Sequence, residues 1–357
     1  MTRSLAEAYR GFICDLDGVV YRGQGAVPHA IEALGATRRH GRIAYATNNA
    51  ARPPHVVAEH LRELGITLDD SDVLTSSQAG ARRLAELVPA GARVLAVGGP
   101  GVTLALEESG LHPVQPAELE QAQDSGTEYE PVAAVLQGFG RDVSWHDLSQ
   151  AAFAIQGGAQ WVATNHDSTL PLAHGVAPGN GSLVGAVRNA VDVDPVVVGK
   201  PFAALYEYCA ALIGTQVRDT LAIGDRLNTD IAGAVNTGMD SIYVTTGVSS
   251  PVDVALADAS ERPTYLAMDL RALGEPYEPA EVEATAGGDE PNGAQAWTAR
   301  CGEAVASWNG GLTLGDGGAA NQRLRAFVAL AWAAADGGVH LDPETLAPGG
   351  AWVEAAR

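Results

Sequence analysis

The sequence is poor in basic residues. Lysine and arginine together number 22, against 43 aspartates and glutamates, which gives a formal net charge of −21. Basic side chains are not clustered anywhere along the chain. Because nucleic acids and anionic membranes are bound through such clusters, neither is expected as a partner. A small anionic substrate would need a local cation or metal ion to offset the overall charge.

Lysine is the scarcest basic residue, since Lys200 is the only one in the chain. It stands in the segment VVVGKP, after an apolar run. The chain uses arginine for its other positive charges, and the compact ammonium group of lysine differs from the wide guanidinium fork. We therefore expect a functional role for Lys200 rather than a place on the surface.

Cysteines and long apolar runs are also scarce. The three cysteines, Cys14, Cys209 and Cys301, are too scattered for a disulfide framework or a zinc site. No apolar run is long enough to cross a bilayer, and Asp15 and Asp17 interrupt the apolar run near the N-terminus, unlike a secretory signal. We expect a globular protein of the cytoplasm.

The order of the predicted elements indicates an α/β fold. Predicted strands at 11–17, 41–50 and 71–77 alternate with predicted helices, and a second such series starts at 91. This alternation is typical of parallel sheets with crossover helices.

The composition changes after about residue 273. Residues 273–295 are rich in proline, glycine and acidic residues and are predicted to form a linker. Residues 296–357 combine short predicted strands with a helix at 320–335, whose apolar residues recur at helical spacing. We predict a small α+β domain in which this helix forms the domain's own core or an oligomer contact.

Polar side chains follow four of the predicted strands. They are Asp15 and Asp17, Thr47 to Asn49, Lys200, and Asp225 with Asp230 beyond it. The carboxyl ends of parallel strands lie along one edge of a sheet, and ligands bind in the crevice outside them. We therefore expect these groups to share one site.

The carboxylates in this set predict phosphoryl chemistry at a magnesium site. Asp15, Asp17 and Asp225 would gather like charges that need a cation, and hard oxygen ligands suit Mg²⁺. An ionised Asp15 could attack phosphorus and form an aspartyl-phosphate. Asp17 would then protonate the leaving alkoxide and later deprotonate the attacking water.

The other strand-end groups are suited to phosphoryl oxygens. The Thr47 hydroxyl and the backbone N–H groups of Asn48 and Asn49 would form an anion cradle before a predicted helix. Lys200 would add a positive charge on the transferring group. The set predicts binding of a phosphate monoester.

Four motifs carry a resemblance to a known family. The segments DLDGVVYRG, ATNNA, VVGKP and GDRLNTDIAGA resemble motifs one to four of the haloacid dehalogenase (HAD) superfamily, in order and in spacing. Their Thr-Asn-Asn and GDRLxTDI forms are similar to its class IIA phosphatases, over residues 8–272. The resemblance implies a Rossmannoid parallel-sheet core with an inserted α/β class II cap. The implied arrangement is a core of 1–89 and 195–272, a cap of 90–194, the linker and the small α+β domain.

The resemblance also implies roles for individual residues. Asp15 would be the nucleophile and Asp17 the general acid–base. Asp15, the backbone carbonyl of Asp17, and Asp225 would bind Mg²⁺, and Asp230 would support these ligands.

The expected activity is hydrolysis of a small phosphomonoester, with glycerol 3-phosphate or 2-phosphoglycolate favoured. In this family a cap loop contributes to substrate choice, which makes Asn165 and Asp167 candidate substrate-facing residues. A looser likeness, in overall layout, is to actinobacterial glycerol-3-phosphate phosphatases. The open alternatives are a broad phosphatase for sugar phosphates, nucleotides or p-nitrophenyl phosphate, and a phosphotransferase that uses the same phospho-aspartate. A homodimer is one possible assembly.

Overall fold

The computed structural model describes residues 3–124, 130–172, 174–285 and 295–356. Within these ranges, none of the helices combines the length and the apolar character that a bilayer span needs. The strands are, in chain order, β1 Gly11–Cys14, β2 Tyr21–Arg22, β3 Gly25–Ala26, β4 Arg42–Thr47, β5 Val73–Thr75, β6 Arg93–Val97, β7 His112–Val114, β8 Ala134–Gln137, β9 Gln160–Ala163, β10 Thr169–Leu172, β11 Gly175–Pro178, β12 Val196–Val197, β13 Thr220–Gly224, β14 Asp240–Val244, β15 Tyr265–Ala267, β16 Glu281–Thr285, β17 Ala296–Cys301, β18 Ala304–Trp308 and β19 Leu312–Leu314.

The helices lie mostly between these strands, and several begin at side chains that cap free backbone N–H groups. Ser144 and Asp147 form such a box at one helix, and Ser250 and Asp253 form another. The α-helices are α1 Leu5–Ala8, α2 Ala30–Thr37, α3 Pro54–Glu63, α4 Ser76–Leu87, α5 Pro100–Glu108, α6 Pro116–Asp124, α7 Trp145–Gln156, α8 Asn180–Arg188, α9 Ala203–Ile213, α10 Ala232–Thr237, α11 Pro251–Ala255, α12 Ala320–Asp336 and α13 Pro343–Glu354.

The chain divides into two compact units, of which the first comprises residues 1–43 and 214–357. In this unit β15, β14, β13 and β1 lie side by side in that order, each parallel to its neighbours. β1 and β13 are buried along their whole length, as is usual for parallel strands covered on both faces. Cys14 pairs with Ile223, so these two strands end together.

The second unit comprises residues 44–213. Here β4 runs parallel to β5, with Thr47 beside Thr75. A separate parallel sheet has the order β12-β9-β8-β6-β7, and its helices cover it with an apolar core that includes Leu95, Val135 and Trp161. Four of its strands, β6 to β9, lie in the region that the sequence predicts as the cap, whereas β12 lies in the stretch predicted as the second part of the core and pairs with β9.

The C-terminal part of the first unit is an antiparallel sheet in the order β16-β17-β18-β19, together with α12 and α13. The prediction of a linker over 273–295 is therefore wrong for residues 281–285, which form β16 and pair with β17. Backbone hydrogen bonds to a neighbouring strand stabilise a segment whose own composition favours a loop. Residues 286–294 lie outside the described residues.

Side chains from this C-terminal part and from the segment before it cover the outer edge of β15. The backbone N–H of Leu266 donates to the Tyr277 hydroxyl at 3.2 Å, and the Leu266 carbonyl accepts from Arg325 Nε at 3.1 Å. One residue beyond the strand, the Met268 N–H donates to Asn321 Oδ1 at 2.8 Å. The backbone of this edge strand is thus satisfied without another strand.

The predicted fold class is confirmed: a Rossmannoid parallel-sheet α/β core, a second α/β sheet and a small α+β C-terminal part. The domain boundaries at 89/90 and 194/195 stay predictions, since the two compact units divide the chain at 43/44 and 213/214.

Candidate active site

Three carboxylates gather where β1 and β13 end. A carboxylate oxygen of each of Asp15, Asp225 and Asp230 lies within 4.8 Å of the other two. Asp15 is half-buried, while Asp225 and Asp230 are only 1% and 3% exposed. Like charges repel, and burial adds a desolvation cost for each ionised group. A cation among these carboxylates would offset these costs.

Hydrogen bonds fix both the backbone and the side chain of Asp225. Its Oδ2 accepts a hydrogen bond of 2.6 Å from the Val248 N–H, and its carbonyl accepts one of 3.2 Å from the Ser249 N–H. A Cβ placed on Gly247 would lie 1.7 Å from Asp225 Oδ2, and one on Gly18 would lie 2.6 Å from it. Glycine at both positions therefore makes the space in which this carboxylate sits.

Asp230 lies on a π-helical turn, Leu227–Ile231, that follows β13. Its Oδ2 accepts a hydrogen bond of 3.1 Å from the Arg226 N–H. A Cβ on Gly224 would lie 2.1 Å from the Asp230 Cβ, so glycine is needed at the strand end for this approach. The sequence predicts a supporting role for Asp230, and the structure brings its carboxylate as close as those of the other two.

Asp17 has an exposed side chain and is not a member of the three-carboxylate cluster. The chain turns here through Gly18, whose φ of 87° favours glycine. The Gly18 N–H donates to the Tyr21 carbonyl at 2.8 Å, and the Gly18 carbonyl accepts from the Thr246 hydroxyl at 2.7 Å. An accessible carboxylate two residues from Asp15 suits the proton-transfer role predicted for Asp17.

The cluster fits a hard divalent cation. Its donors are carboxylate oxygens, which Mg²⁺ and Ca²⁺ prefer over imidazole or thiolate ligands. The glycines beside Asp225 and Asp230 give these carboxylates room that any other residue would fill. That Asp15, Asp225 and the Asp17 carbonyl are the ligands stays a prediction, and Asp230 joins them as a candidate.

Thr47 ends β4 in the second unit and is 5% exposed. Its hydroxyl accepts a hydrogen bond of 3.1 Å from the Asn49 N–H, and Asn49 Oδ1 accepts one of 3.0 Å from the Ala51 N–H. The Asn49 N–H, predicted as part of an anion cradle, therefore already has a protein partner in this conformation.

The side chain of Asn48 connects two other predicted site residues. Its Oδ1 accepts from the Lys200 N–H at 2.8 Å, and its Nδ2 donates to the Lys200 carbonyl at 3.1 Å. The same Nδ2 lies 3.2 and 3.3 Å from the two carboxylate oxygens of Asp167. Asn48 thus fixes the backbone of Lys200, whose side chain is 2% exposed.

Asn165 and Asp167 belong to the same network. Asn165 is 3% exposed, and its Nδ2 donates to the Asn48 carbonyl at 2.8 Å. Its Oδ1 accepts from the Asp167 N–H at 3.2 Å. The structure brings Asn48, Asn165, Asp167 and Lys200 together, and in it the two candidate substrate-facing residues contact protein groups.

The sequence interpretation missed the loop after β14. Val248 and Ser249 hold Asp225, and Thr246 holds the turn at Gly18. The segment TTGVSS, residues 245–250, is one more polar strand end in a parallel sheet, and that position alone could have indicated it.

Two protein-family models match the chain. A model described as haloacid dehalogenase-like hydrolase matches residues 12–112, and a HAD-hydrolase-like model matches residues 197–273. The first range includes Asp15 and Asp17, and the second includes Lys200 and Asp225.

Curated relatives resemble this chain over most of its length. The D-glycerol 3-phosphate phosphatase of Mycobacterium tuberculosis is 42% identical over 271 residues, which are 76% of this chain and 72% of that protein. A 5′-nucleotidase of Bacillus subtilis is 32% identical over 272 residues, which are 76% of this chain and 99% of that protein.

A solved structure extends the likeness to the C-terminal part. The glycerol phosphate phosphatase of Mycobacterium tuberculosis in complex with magnesium aligns with a TM-score of 0.76 and 35% identity, over 93% of this chain and 92% of that chain. The sequence motifs agree with the matching family models, with the identity to these relatives and with this shared architecture. The chain therefore belongs to the haloacid dehalogenase-like hydrolase family.

Proposed function

We propose that this chain is a Mg²⁺-dependent phosphatase that hydrolyses glycerol 3-phosphate through an aspartyl-phosphate on Asp15. The observation that carries the proposal is the approach of Asp15, Asp225 and Asp230 to within 4.8 Å of one another at the strand ends. The choice of substrate is supported by the 42% identity to an enzyme named for glycerol 3-phosphate. A hydrolase of this kind acts on a small molecule and is proposed to work in the cytoplasm.

In the first half-reaction, an Asp15 carboxylate oxygen attacks phosphorus and the bond from phosphorus to the glycerol oxygen breaks. Asp17, in its protonated form, gives its proton to the departing alkoxide, so that glycerol leaves as a neutral alcohol. Asp17 is then ionised and takes a proton from water, which attacks the phospho-aspartate. Inorganic phosphate leaves, and both aspartates return to their starting states.

The remaining residues bind and orient. Asp15, Asp225, Asp230 and the Asp17 carbonyl are proposed to hold Mg²⁺, which when bound offsets the negative charge of the phosphoryl group. Lys200 and the Thr47 hydroxyl are proposed to bind phosphoryl oxygens.

Asn48 and Asn49 have different proposed roles in phosphate binding. The Asn48 N–H is proposed to reach the phosphate directly. The Asn48 side chain contributes by fixing the Lys200 backbone through hydrogen bonds of 2.8 and 3.1 Å. The Asn49 N–H would contribute only after leaving the Thr47 hydroxyl.

Steady-state kinetics on a panel of phosphomonoesters tests this proposal. The panel holds glycerol 3-phosphate, 2-phosphoglycolate, a nucleoside 5′-monophosphate, a sugar phosphate and p-nitrophenyl phosphate, each with Mg²⁺ and with EDTA. We expect the highest kcat/KM for glycerol 3-phosphate, by at least about tenfold, as a site with matched polar contacts discriminates. Equal values across the panel would indicate a broad phosphatase.

The same reactions distinguish hydrolysis from phosphoryl transfer. Release of one inorganic phosphate for each glycerol formed, with or without an added alcohol, is expected for the hydrolase. A phosphorylated acceptor that replaces inorganic phosphate would assign the chain to the phosphotransferases instead.

A further inference from the structure

The C-terminal helix α12 is buried on two faces. On one face Leu330 and Ala334 pack against Trp297 and other residues of the C-terminal sheet. On an adjacent strip of the same helix, Leu324 and Phe327 belong to a second apolar cluster. The sequence predicts this helix as the core of its own small domain or as an oligomer contact, and only the first face corresponds to that prediction.

The second cluster joins the C-terminal part to the α/β core of the same unit. It combines Leu324 and Phe327 with Val254 of α11, Tyr243 of β14 and Ile231, the neighbour of Asp230. All of these residues are fully buried. The packing therefore connects α12 to the segments that carry Asp225 and Asp230.

Helix α11 receives most of this packing, since both α12 and α13 lie against it. Trp332 of α12 donates its indole N–H to the Val254 carbonyl at 2.8 Å. Gly350 of α13 lies so close to Val252 that an added Cβ would be 2.7 Å from a Val252 methyl. The C-terminal helices thus fix α11 by a hydrogen bond and by close contact.

The loop that leads into α11 is the one that holds Asp225. Val248 and Ser249 donate to Asp225, and Ser249 Oγ accepts a hydrogen bond of 3.2 Å from the Leu227 N–H on the turn that carries Asp230. The Tyr243 hydroxyl donates to the Ser249 carbonyl. Ser249 is therefore bonded to both carboxylate-bearing segments and lies two residues before α11.

We propose that the C-terminal part is a positioning element for the metal ligands: through α11 and the loop 247–250 it sets the affinity for Mg²⁺. The inference rests on the proposed function, because it concerns the metal which that function requires. Mg²⁺ demands near-ideal octahedral geometry, so small shifts of a carboxylate weaken its binding. A displaced α11 would shift the Val248 and Ser249 N–H groups and hence Asp225.

Two tryptophans of the C-terminal part give a matched pair of variants. Both are half-buried, and both donate an indole hydrogen bond of 2.8 Å, Trp332 to Val254 of α11 and Trp352 to Gly315 within the C-terminal part. Each also has an arginine over its ring, at 5.2 Å for Trp332 and 5.1 Å for Trp352. Trp332→Phe and Trp352→Phe therefore remove the same chemistry at two places.

The readout is the Mg²⁺ dissociation constant of the full-length protein, measured by isothermal titration calorimetry without substrate. We expect Trp332→Phe to weaken Mg²⁺ binding about threefold, the effect of losing part of one hydrogen bond. Trp352 also packs against the second cluster, but phenylalanine keeps an aromatic ring there, and the lost hydrogen bond is to Gly315 rather than to α11, so Trp352→Phe is expected to keep the wild-type constant. Equal weakening of Mg²⁺ binding by both variants would overturn the inference.

A second pair covers the case in which the tryptophan variants differ too little to measure. Leu324 and Leu330 are both fully buried on α12, the first in the cluster with α11 and the second against the C-terminal sheet. We expect Leu324→Ala and Leu330→Ala to lower the thermal midpoint alike. Only Leu324→Ala should weaken Mg²⁺ binding, by about tenfold if the cavity shifts α11. Equal constants for the two leucine variants, whether weakened or unchanged, would overturn the inference.

The calorimetric readout keeps this inference distinct from the proposed function. Wild-type Mg²⁺ binding without hydrolysis of glycerol 3-phosphate would reject the proposed substrate and leave the inference standing. Wild-type hydrolysis with no difference within either pair would reject the inference and leave the function standing. Absence of Mg²⁺ binding by the wild type would reject both.

Discussion

The carboxylate cluster and the hydrogen-bond network of Asn48 differ in what stabilises them. In the carboxylate cluster, Asp15, Asp225 and Asp230 bring like charges within 4.8 Å of one another. In the Asn48 network, the amide accepts from the Lys200 N–H and donates to Asp167 and to the Lys200 carbonyl. A cation would stabilise the first arrangement by offsetting its like charges, whereas the second is stabilised by its own hydrogen bonds.

This difference indicates which of the two groups should change in stability with the concentration of divalent cations. The stability of the carboxylate cluster should change with the concentration of divalent cations, because binding to the folded state adds free energy to it. The Asn48 network should contribute the same free energy with or without metal. The following substitutions test that contrast, from the largest expected effect to the smallest.

Asp15→Asn should have the largest effect. It replaces the proposed nucleophile by an isosteric amide, so Mg²⁺-dependent hydrolysis of p-nitrophenyl phosphate should fall at least about a thousandfold, as when other enzymes lose their nucleophile. Circular dichroism should remain that of the wild type. Normal turnover by a folded variant would exclude the aspartyl-phosphate.

Asp230→Asn should weaken Mg²⁺ binding, and it should change the thermal midpoint in opposite directions with and without the metal. In EDTA the thermal midpoint should rise, because one of three like charges is lost, and in saturating Mg²⁺ it should fall. The Mg²⁺ dissociation constant should rise by roughly 10–100-fold. The control is Asp142→Asn, which changes an exposed aspartate and should alter neither quantity. A midpoint shift of the same sign in EDTA and in Mg²⁺ would contradict the assignment of Asp230 to the cluster.

Asn48→Ala should have the smallest effect, and this effect should be the same with and without Mg²⁺. The lost hydrogen bonds to Lys200 and Asp167 should lower the free energy of unfolding by about 1–2 kcal/mol, a value reduced because Asn48 is only half-buried. Urea unfolding in EDTA and in Mg²⁺ should give the same loss. Asn49→Ala serves as the control, because its side-chain hydrogen bond with the Ala51 N–H is exposed to water, and the change should alter the unfolding free energy by less than about 0.5 kcal/mol. A loss that depends on Mg²⁺ would show that the two regions are coupled.

The sequence was informative where spacing alone decides the chemistry. Asp15 and Asp225 each directly follow an apolar strand, and the parallel pairing of Cys14 with Ile223 puts the two strand ends together. The shared edge of a parallel sheet suffices for that prediction. The α/β fold class followed in the same way from the alternation of elements.

The sequence was less informative where tertiary contacts decide. Nothing local distinguishes Val248, whose backbone N–H holds Asp225, because every residue but proline has such a group. The strand at Glu281–Thr285 depends on its partner β17, and the second face of α12 depends on α11. Periodicity identifies an apolar face but not the surface that it contacts.

The covered edge of β15 has a consequence for the tendency of the chain to aggregate. Arg325 and Asn321 form hydrogen bonds with the Leu266 carbonyl and the Met268 N–H. These backbone groups could otherwise pair with a strand of another molecule. A chain that stops at residue 273 would lose both side chains and present this edge, beside an opened apolar cluster, to other copies of itself. We therefore expect the C-terminal part also to protect the chain against aggregation, so that its removal would lower solubility.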